Sequence, residues 1–227
     1  PKQPFMYKVL DKDMIENEIV AYIPGTCRGF PPRVPLHEIV NAILYKLKTG
    51  VQWDQLPVKA LFERTPLSWQ SVYHHYRKWC KGGFWKDCWI KLLNRHKSQL
   101  DLSSVDLDGS HTPAKRGGEN VEYQGRKKTK TTNSLYLTDR QGLPLAMSEP
   151  VAGNHNDLYD IEVQFEVVTA TLEKAEIAVG GLFLNADAGF DSKDFRKSCG
   201  KKDINANVCF NKRNGNADRD EYFDKEL

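Results

Sequence analysis

The clearest chemistry in the sequence lies in the segment VDLDGSHTPAKRGG, where two aspartates are two positions apart. Side chains two apart on a β-strand share one face of the sheet, so we expect Asp106 and Asp108 to point the same way. Two carboxylates on one face repel each other unless a cation, a proton or solvent separates them. The segment alone is equally consistent with a strand that ends in a solvated turn at Gly109.

A second acidic segment, LNADAGFDS, places Asp187 where a short apolar strand ends and a helix follows. Strand ends in a mixed α/β sheet are where ligand-binding side chains collect. Asp108 and Asp187 on neighbouring strand ends could therefore bind Mg²⁺ or Mn²⁺, which prefer carboxylate oxygens. With a third carboxylate, such a site holds two ions about 4 Å apart, one activating the attacking oxygen and one stabilising the leaving oxygen at phosphorus.

Basic residues near these acids suit the phosphate backbone of a nucleic acid. The segment GRKKTKTT, residues 125–132, predicts a lysine-rich loop, and a shorter basic pair directly follows the first acidic segment. The candidate phosphate-binding residues of this half are Lys115, Arg116, Arg126, Lys127, Lys128 and Lys130.

Charge and composition change near residue 100, which indicates two domains. Residues 1–100 carry 16 Lys and Arg against 8 Asp and Glu, whereas residues 101–227 carry 17 against 22. All five tryptophans also lie in the first hundred residues. We expect a basic domain over residues 1–100, which suits nucleic acid, and a mildly acidic domain over residues 101–227.

No run of the sequence approaches the ~18 apolar residues of a membrane span, and no signal segment opens it. The five cysteines are scattered and odd in number, which suits reduced thiols. We therefore expect no membrane partner and a cytoplasmic, nucleoid-associated location.

Helical periodicity dominates the first domain. Apolar residues predict a helix over residues 36–47, and Ser68 is expected to cap a second helix that ends at Lys81 before two glycines. Three short helices with a basic exposed face fit a helix-turn-helix-like DNA-binding domain, with an ordinary solvated face as the alternative. The third helix, near residues 85–96, is expected to bury Trp89, Ile90 and Leu93. The exposed face of the second helix offers Gln70, His74, Arg77, Lys78 and Lys81.

The second domain has the period of strands. Helices are expected at residues 158–172 and 192–199, and the turn DRQG joins two strands as a hairpin. Three strands followed by helix, strand, helix and strand predict a mixed α/β sheet. The predicted strands cover residues 103–108, 134–139, 143–148, 180–186 and 204–210.

Six segments in order resemble the DDE transposases of the insertion-sequence five group. They are LHEIVNAILYKLKTGVQWDQLP, SWQSVYHHYRKW, DGSHTPAKRGGE, YQGRKKTKTTNSLYLTDRQGLPLAMS, AGNHND and NADAGFDS. The resemblance implies an α+β protein, in which an all-α DNA-binding domain precedes a ribonuclease-H-like mixed α/β catalytic domain. It also implies metal-dependent cleavage and transfer of double-stranded DNA at terminal inverted repeats and target sites, with a homodimer on DNA left open. Asp108 and Asp187 match its first two catalytic acids.

The third acid of that group is a Glu on a later helix, in a pattern like Y..R..IER, which this sequence does not contain. Glu221 and Glu226 follow Asp187 by 34 and 39 residues, but neither lies in that pattern. We therefore expect the third acid and the last helix of the catalytic domain to lie beyond Leu227, and this chain to be inactive as it stands.

Two other functions stay open. A DNA-binding remnant of a transposase would bind DNA without catalysis. The segment DLDGS also resembles haloacid-dehalogenase-type phosphatases, in which Asp106 would be the phosphorylated nucleophile and Asp108 the general acid. Against the phosphatase, the preceding strand is polar and Ser110 replaces the usual Thr.

Two residues near the predicted site have open roles. In a transposase, Asp106 is an auxiliary acid or a solvated one. His155, in AGNHND, either lies near the metals or shapes a turn before a helix that Asn156 or Asp157 caps.

Overall fold

The structure, a computed structural model, describes residues 7–25, 32–114, 117–211 and 223–224. The chain divides into two compact units, Pro1–Leu92 and Leu93–Leu227. The assignment of DNA binding to the first domain and catalysis to the second stays a prediction. No helix in the described ranges is long and apolar enough to cross a membrane.

The first unit is helical, as the periodicity predicts. The helix predicted over residues 36–47 ends at Gly50, which adopts a left-handed conformation with φ of 68° that suits glycine. Ser68 caps the fourth helix, since its hydroxyl accepts a hydrogen bond from the backbone N–H of Ser71 at 3.2 Å. The helices are α1 (Lys12–Glu18), α2 (Leu36–Thr49), α3 (Val58–Leu61), α4 (Trp69–Lys81) and α5 (Phe84–His96).

The core of the first unit combines the apolar faces of α2, α4 and α5. Its fully buried side chains include Ile39 and Ile43 of α2 and Val72 of α4. The predicted inward face of α5 is partly wrong, because Trp89 is 36% exposed. Helical spacing from the buried Phe84 turns residue 88 inward and residue 89 outward. On α5 the buried apolar residues are Phe84, Cys88 and Leu93, and Ile90 is half-buried.

The second unit is built on one mixed sheet with two helices. Its strands are β1 (Val105–Pro113), β2 (Glu122–Gln124), β3 (Thr129–Asp139), β4 (Pro144–Met147), β5 (Val151–Ala152), β6 (Phe183–Ala186) and β7 (Asn205–Val208). The helices are α6 (Ile161–Lys174) and α7 (Lys193–Lys201). All five predicted strands and both predicted helices are present. The short strands β2 and β5 are additional, because two or three residues carry no detectable alternation.

The sheet has the order β2-β3-β1-β6-β7, and β4 and β5 also pair with β3. β1 and β3 are antiparallel, whereas β1, β6 and β7 are parallel. An antiparallel hairpin region followed by parallel strands reached through α6 and α7 agrees with the ribonuclease-H-like arrangement that the resemblance implies. The predicted α+β class is confirmed.

Apolar side chains from the sheet and its helices form the core of the second unit. Leu107, Leu137 and Leu184 come from three strands and are each 1–2% exposed. Phe165 of α6 and Phe195 of α7 meet edge to face, with ring centroids 5.3 Å apart. This core fixes the face of β1 that carries Leu107 and leaves the alternate residues, Asp106 and Asp108, facing outward.

The hairpin of β1 and β3 is longer than the sequence predicts. β1 continues past Gly109 to Pro113, because β3 pairs with it over its whole length. The alternative of a turn at Gly109 is therefore wrong. Half of the predicted loop GRKKTKTT is strand, since β3 begins at Thr129.

The predicted DRQG hairpin is confirmed, and a buried carboxylate organises it. Asp139 is 1% exposed at the end of β3. Its Oδ1 accepts hydrogen bonds from the backbone N–H groups of Gln141 at 3.0 Å and Leu143 at 2.8 Å. Its Oδ2 accepts one from the N–H of Asp101 at 3.2 Å.

Replacing this carboxylate tests its contribution to stability. Asp139→Ala leaves three backbone donors without their acceptor, so we expect the free energy of unfolding to fall by about 3 kcal/mol. Urea denaturation followed by circular dichroism measures the change. The matched control is Gln141→Ala in the same turn, where an exposed side chain is removed and we expect a change within about 0.5 kcal/mol. Equal effects of the two substitutions would contradict the role of Asp139.

Candidate functional site

An open cleft of about 480 Å³ lies at the ends of the parallel strands of the second unit. The last residues paired between β1 and β6 are Leu107 and Ala186. The next residues along the chain are Asp108, which is still in β1, and Asp187, which directly follows β6. The parallel register therefore brings the two predicted acids side by side. The cleft is lined by Asp106, Leu107, Asp108, Asn185, Ala186, Asp187, Asn207, Cys209, Phe223 and Asp224.

The backbone holds each of the two carboxylates through one oxygen. Asp108 Oδ1 accepts a hydrogen bond from the N–H of Gly109 at 2.8 Å. Asp187 begins a single turn of 3₁₀ helix, and its Oδ1 accepts from the N–H of Gly189 at 2.7 Å. Both side chains are exposed, and no ion pair within the described part of the chain holds either one. Two adjacent carboxylates without a neutralising partner form a site that favours a cation.

A ladder of amide side chains supports Asp106 beside this pair. Asn185 Nδ2 donates to Asp106 Oδ1 at 3.0 Å, and Asn207 Nδ2 donates to Asn185 Oδ1 at 2.8 Å. Asn207 also binds the backbone of Asp224 through both of its amide atoms, at 2.8 Å and 3.1 Å. The ladder crosses three strands and was missed by sequence analysis. Its only signal is one Asn near the end of each of the parallel strands β6 and β7.

The carboxylate oxygens of Asp108 and Asp187 are of the kind that binds a hard divalent cation, but two carboxylates are fewer than such a site needs. Carboxylate oxygens are the ligands that Mg²⁺ and Mn²⁺ prefer. The described residues, however, contain no group of three or more His, Cys, Asp or Glu side chains that could hold a metal ion. That Asp108 and Asp187 are two of the three acids of a two-metal site stays a prediction, and Glu221 and Glu226 lie outside the described residues.

The predicted DNA-binding face of α4 exists as one exposed surface. Positions 70, 74, 77 and 81 repeat at helical spacing, so they share a face, and residue 78 adjoins it. The guanidinium of Arg77 lies 5.9 Å from the ring centroid of Tyr73, which orients the cation along the helix. All five predicted residues, Gln70, His74, Arg77, Lys78 and Lys81, are exposed.

The second predicted basic surface is a β-ribbon rather than a loop. β2 and β3 pair Tyr123 with Lys130, and residues 125–128 form the turn between them. Its basic side chains, Arg126, Lys127, Lys128 and Lys130, are all exposed. Lys115 and Arg116 lie outside the described residues.

The segment AGNHND forms a turn, but its predicted cap is wrong. α6 begins at Ile161 with Asp160 at its N-cap position, so neither Asn156 nor Asp157 caps it. His155 stacks on Tyr159, with ring centroids 3.6 Å apart, and is not among the residues that line the cleft. Its described side-chain contact is with Tyr159 near the same turn, and a role of His155 near the metals stays a prediction.

Comparison with known proteins supports the resemblance seen in the sequence. Residues 16–89 match the model of a family described as "Putative transposase of IS4/5 family". The predicted resemblance to insertion-sequence transposases is thus confirmed over that segment. No curated protein matches the sequence significantly.

Among solved structures, the chain is similar to three complexes of the Mos1 transposase. The paired-end complex with the left transposon end is 12% identical, with a TM-score of 0.34 over 81% of this chain and 61% of that chain. The strand transfer complex is 11% identical, with a TM-score of 0.34 over 81% of this chain and 60% of that chain. The mariner paired-end complex with Mn is 11% identical, with a TM-score of 0.33 over 86% of this chain and 65% of that chain. The chain thus spans less than two thirds of each. The fold assignment above depends on strand order and direction, not on these scores.

The two adjacent acids are expected to cost stability when no cation is present. Asp108→Asn removes one charge, and an Asn oxygen can still accept from Gly109, so the melting temperature in EDTA should rise by about 2–4 °C. Differential scanning calorimetry measures this. Glu119→Gln, which removes one exposed charge outside the cleft, is the control and should change nothing. A lower melting temperature for Asp108→Asn would show that the carboxylate is already neutralised.

Proposed function

We propose that this chain is a transposase that binds the ends of an insertion sequence. Its two acids would serve Mg²⁺- or Mn²⁺-dependent strand cleavage and transfer only together with a third acid, so residues 1–227 alone should bind DNA without cutting it. The observation that carries the proposal is the parallel register of β1 and β6, which sets Asp108 beside Asp187 at one open cleft. The family match over residues 16–89 and the exposed basic face of α4 support DNA as the partner.

In this proposal Asp108 and Asp187 hold the divalent cations. Two bound ions would activate the attacking oxygen and stabilise the leaving oxygen at phosphorus. The carboxylates neutralise cationic charge, and the N–H groups of Gly109 and Gly189 fix one oxygen of each. The cleft is open, as a site for a duplex end must be, and a third carboxylate completes the ligand set.

Two basic surfaces would bind DNA. The exposed face of α4 has the length and the polar side chains of a helix that enters a groove of the duplex. The ribbon of β2 and β3 carries four exposed cations, which suits phosphates.

Metal binding tests the site independently of catalysis. Titration of the chain with Mn²⁺, followed by electron paramagnetic resonance of the free ion, should show weak binding. Asp108→Asn or Asp187→Asn should weaken it by about tenfold or more, because affinity depends on the number of charged ligands. Asp106→Asn is the matched control, and since Asn185 already binds that side chain, we expect a change of less than about threefold.

The same variants separate the transposase from the phosphatase. If the chain hydrolyses a small phosphomonoester, and a covalent phosphoryl intermediate forms on Asp106, the transposase proposal is contradicted. Equal Mn²⁺ affinity of the original chain and both Asn variants would contradict the metal site.

DNA binding by α4 has its own test. The double variant Arg77→Ala/Lys78→Ala should bind the ends of its own element more weakly, and the slope of log affinity against log salt should fall by about 2, because two phosphate contacts are lost. Fluorescence anisotropy with end DNA and random duplex at several salt concentrations measures both. Lys48→Ala/Lys59→Ala, which removes two exposed charges from other helices of the unit, should keep the preference for end DNA. Equal loss in both double variants would show that α4 has no special role.

A further inference from the structure

Two sequence features have no side-chain role in the proposed chemistry, and the structure brings them together. One is Gly109, directly after the acid Asp108, and the other is the segment AGNHND at residues 152–157. The carboxylate of Asp157 lies against Gly109 so closely that a Cβ atom there would overlap it. The φ angle of Gly109 is not in the left-handed region, so the glycine provides space and not an unusual backbone conformation.

Asp157 is fixed in this position by a neighbouring strand. Its Oδ1 accepts a hydrogen bond from Asn133 Nδ2 at 2.8 Å, and Asn133 is 1% exposed in β3. His111, which feels the charge of Asp157, has a lowered pKa because burial outweighs the opposite effect of that charge. Asp157 therefore binds through the amide of Asn133, and the contact does not require a charged histidine.

A second close contact anchors the other end of the same segment. The N–H of Gly153 donates to the carbonyl of Thr131 at 3.0 Å, and a Cβ atom at Gly153 would overlap Thr131. The carbonyl of Gly153 accepts from Gln124 Nε2 at 3.1 Å. The segment is thus held against the sheet at both ends, at Gly153 and at Asp157.

Gly109 connects Asp157 to Asp108, because it contacts both residues. The N–H of Gly109 donates to Asp108 Oδ1, and the Cα of Gly109 packs against Asp157. Side chains alternate along β1, so Asp108 faces the cleft while the Asp157 contact is on the opposite side of the strand. The orientation of the Asp108 carboxylate consequently depends on where Asp157 places the backbone of Gly109.

We propose that Asp157 is a positioning residue that holds β1 so that Asp108 presents its carboxylate to the metal. The inference rests on the proposed function, because it assigns Asp157 to the same site. It explains why both motifs occur in one chain, since the glycine of DGS makes room for the last residue of AGNHND. Asp157 is not among the residues that line the cleft, so the proposal gives it no ligand role.

The experiment compares Mn²⁺ affinity in the whole chain, measured by electron paramagnetic resonance at a temperature where every variant is folded. Asp157→Ala should weaken binding by about tenfold, as is typical when a residue that orients a ligand is lost. Asp157→Asn keeps the shape and the acceptor oxygen, so it should stay within about twofold. Asp160→Asn is the control and should change nothing, because Asp160 is exposed, lies three positions after the segment and caps nothing with its side chain.

A size exchange gives a result that a merely structural role would not produce. Gly109→Ala should weaken binding because its methyl group overlaps the Asp157 carboxylate. Adding Asp157→Ala relieves that overlap, so the double variant should bind Mn²⁺ better than Gly109→Ala alone. Hydrogen exchange of the Gly109 amide, measured without metal, should be faster in Asp157→Ala than in Asp160→Asn.

The outcomes distinguish this inference from the proposed function. If Asp108→Asn binds Mn²⁺ as well as the original chain does, the metal site itself is wrong. If Asp108→Asn loses binding while Asp157→Ala keeps it, only the positioning role is wrong. Equal losses in Asp157→Asn and Asp157→Ala would make Asp157 a ligand, which would overturn the inference. If Gly109→Ala does not fold, the Asp157 variants decide alone.

Discussion

The parallel pairing of β1 with β6 is the constraint on which the candidate site depends. The two strands are far apart in the sequence, and their register alone determines that Asp108 and Asp187 are neighbours. The pairing is kept in register by burial, because Leu107 and Leu184 point into the core, and a slip by one residue would expose them. The hydrophobic core therefore holds together two carboxylates that repel each other.

Polar contacts on both sides of β1 add to the hydrophobic core in fixing the position of the acids. On the cleft side, the amide ladder from Asp106 through Asn185 to Asn207 ties the three parallel strands together next to the acids. On the other side, Asp157 packs against Gly109. The acids themselves accept only backbone N–H groups in the described structure, which keeps their remaining oxygens available. Such support is what a site needs if its ligands are to be held within a fraction of an ångström.

In the proposed function, the two units would offer different kinds of surface to a nucleic acid. α4 offers a regular row of exposed polar side chains on a helix whose start is fixed by a capping serine. The β2–β3 ribbon offers a short turn that carries three exposed cations, and a fourth lies on β3 next to it. In that role the first surface would enter a groove, whereas the second would contact phosphates, which carry no sequence information.

Local sequence determined the elements and the outward direction of the chemical residues. Alternation put Asp106 and Asp108 on one face, Ser68 and Gly50 marked helix boundaries, and apolar runs located every long strand of the second unit. The same local rules mispredicted strand ends where pairing with another strand set them. β1 did not stop at Gly109, because an antiparallel partner continued beyond it.

The contacts around the site were decided by the tertiary structure alone. No periodicity indicates that Asn185 binds Asp106 or that Asp157 lies over Gly109, because these residues are 79 and 48 positions apart along the chain. Turn residues such as Asp157 look like helix caps in a sequence, since a short acid before a helix caps it in many proteins. Sequence by itself thus determined which residues could do chemistry. The fold decided which of them meet, because register and close packing bring together side chains that no local pattern connects.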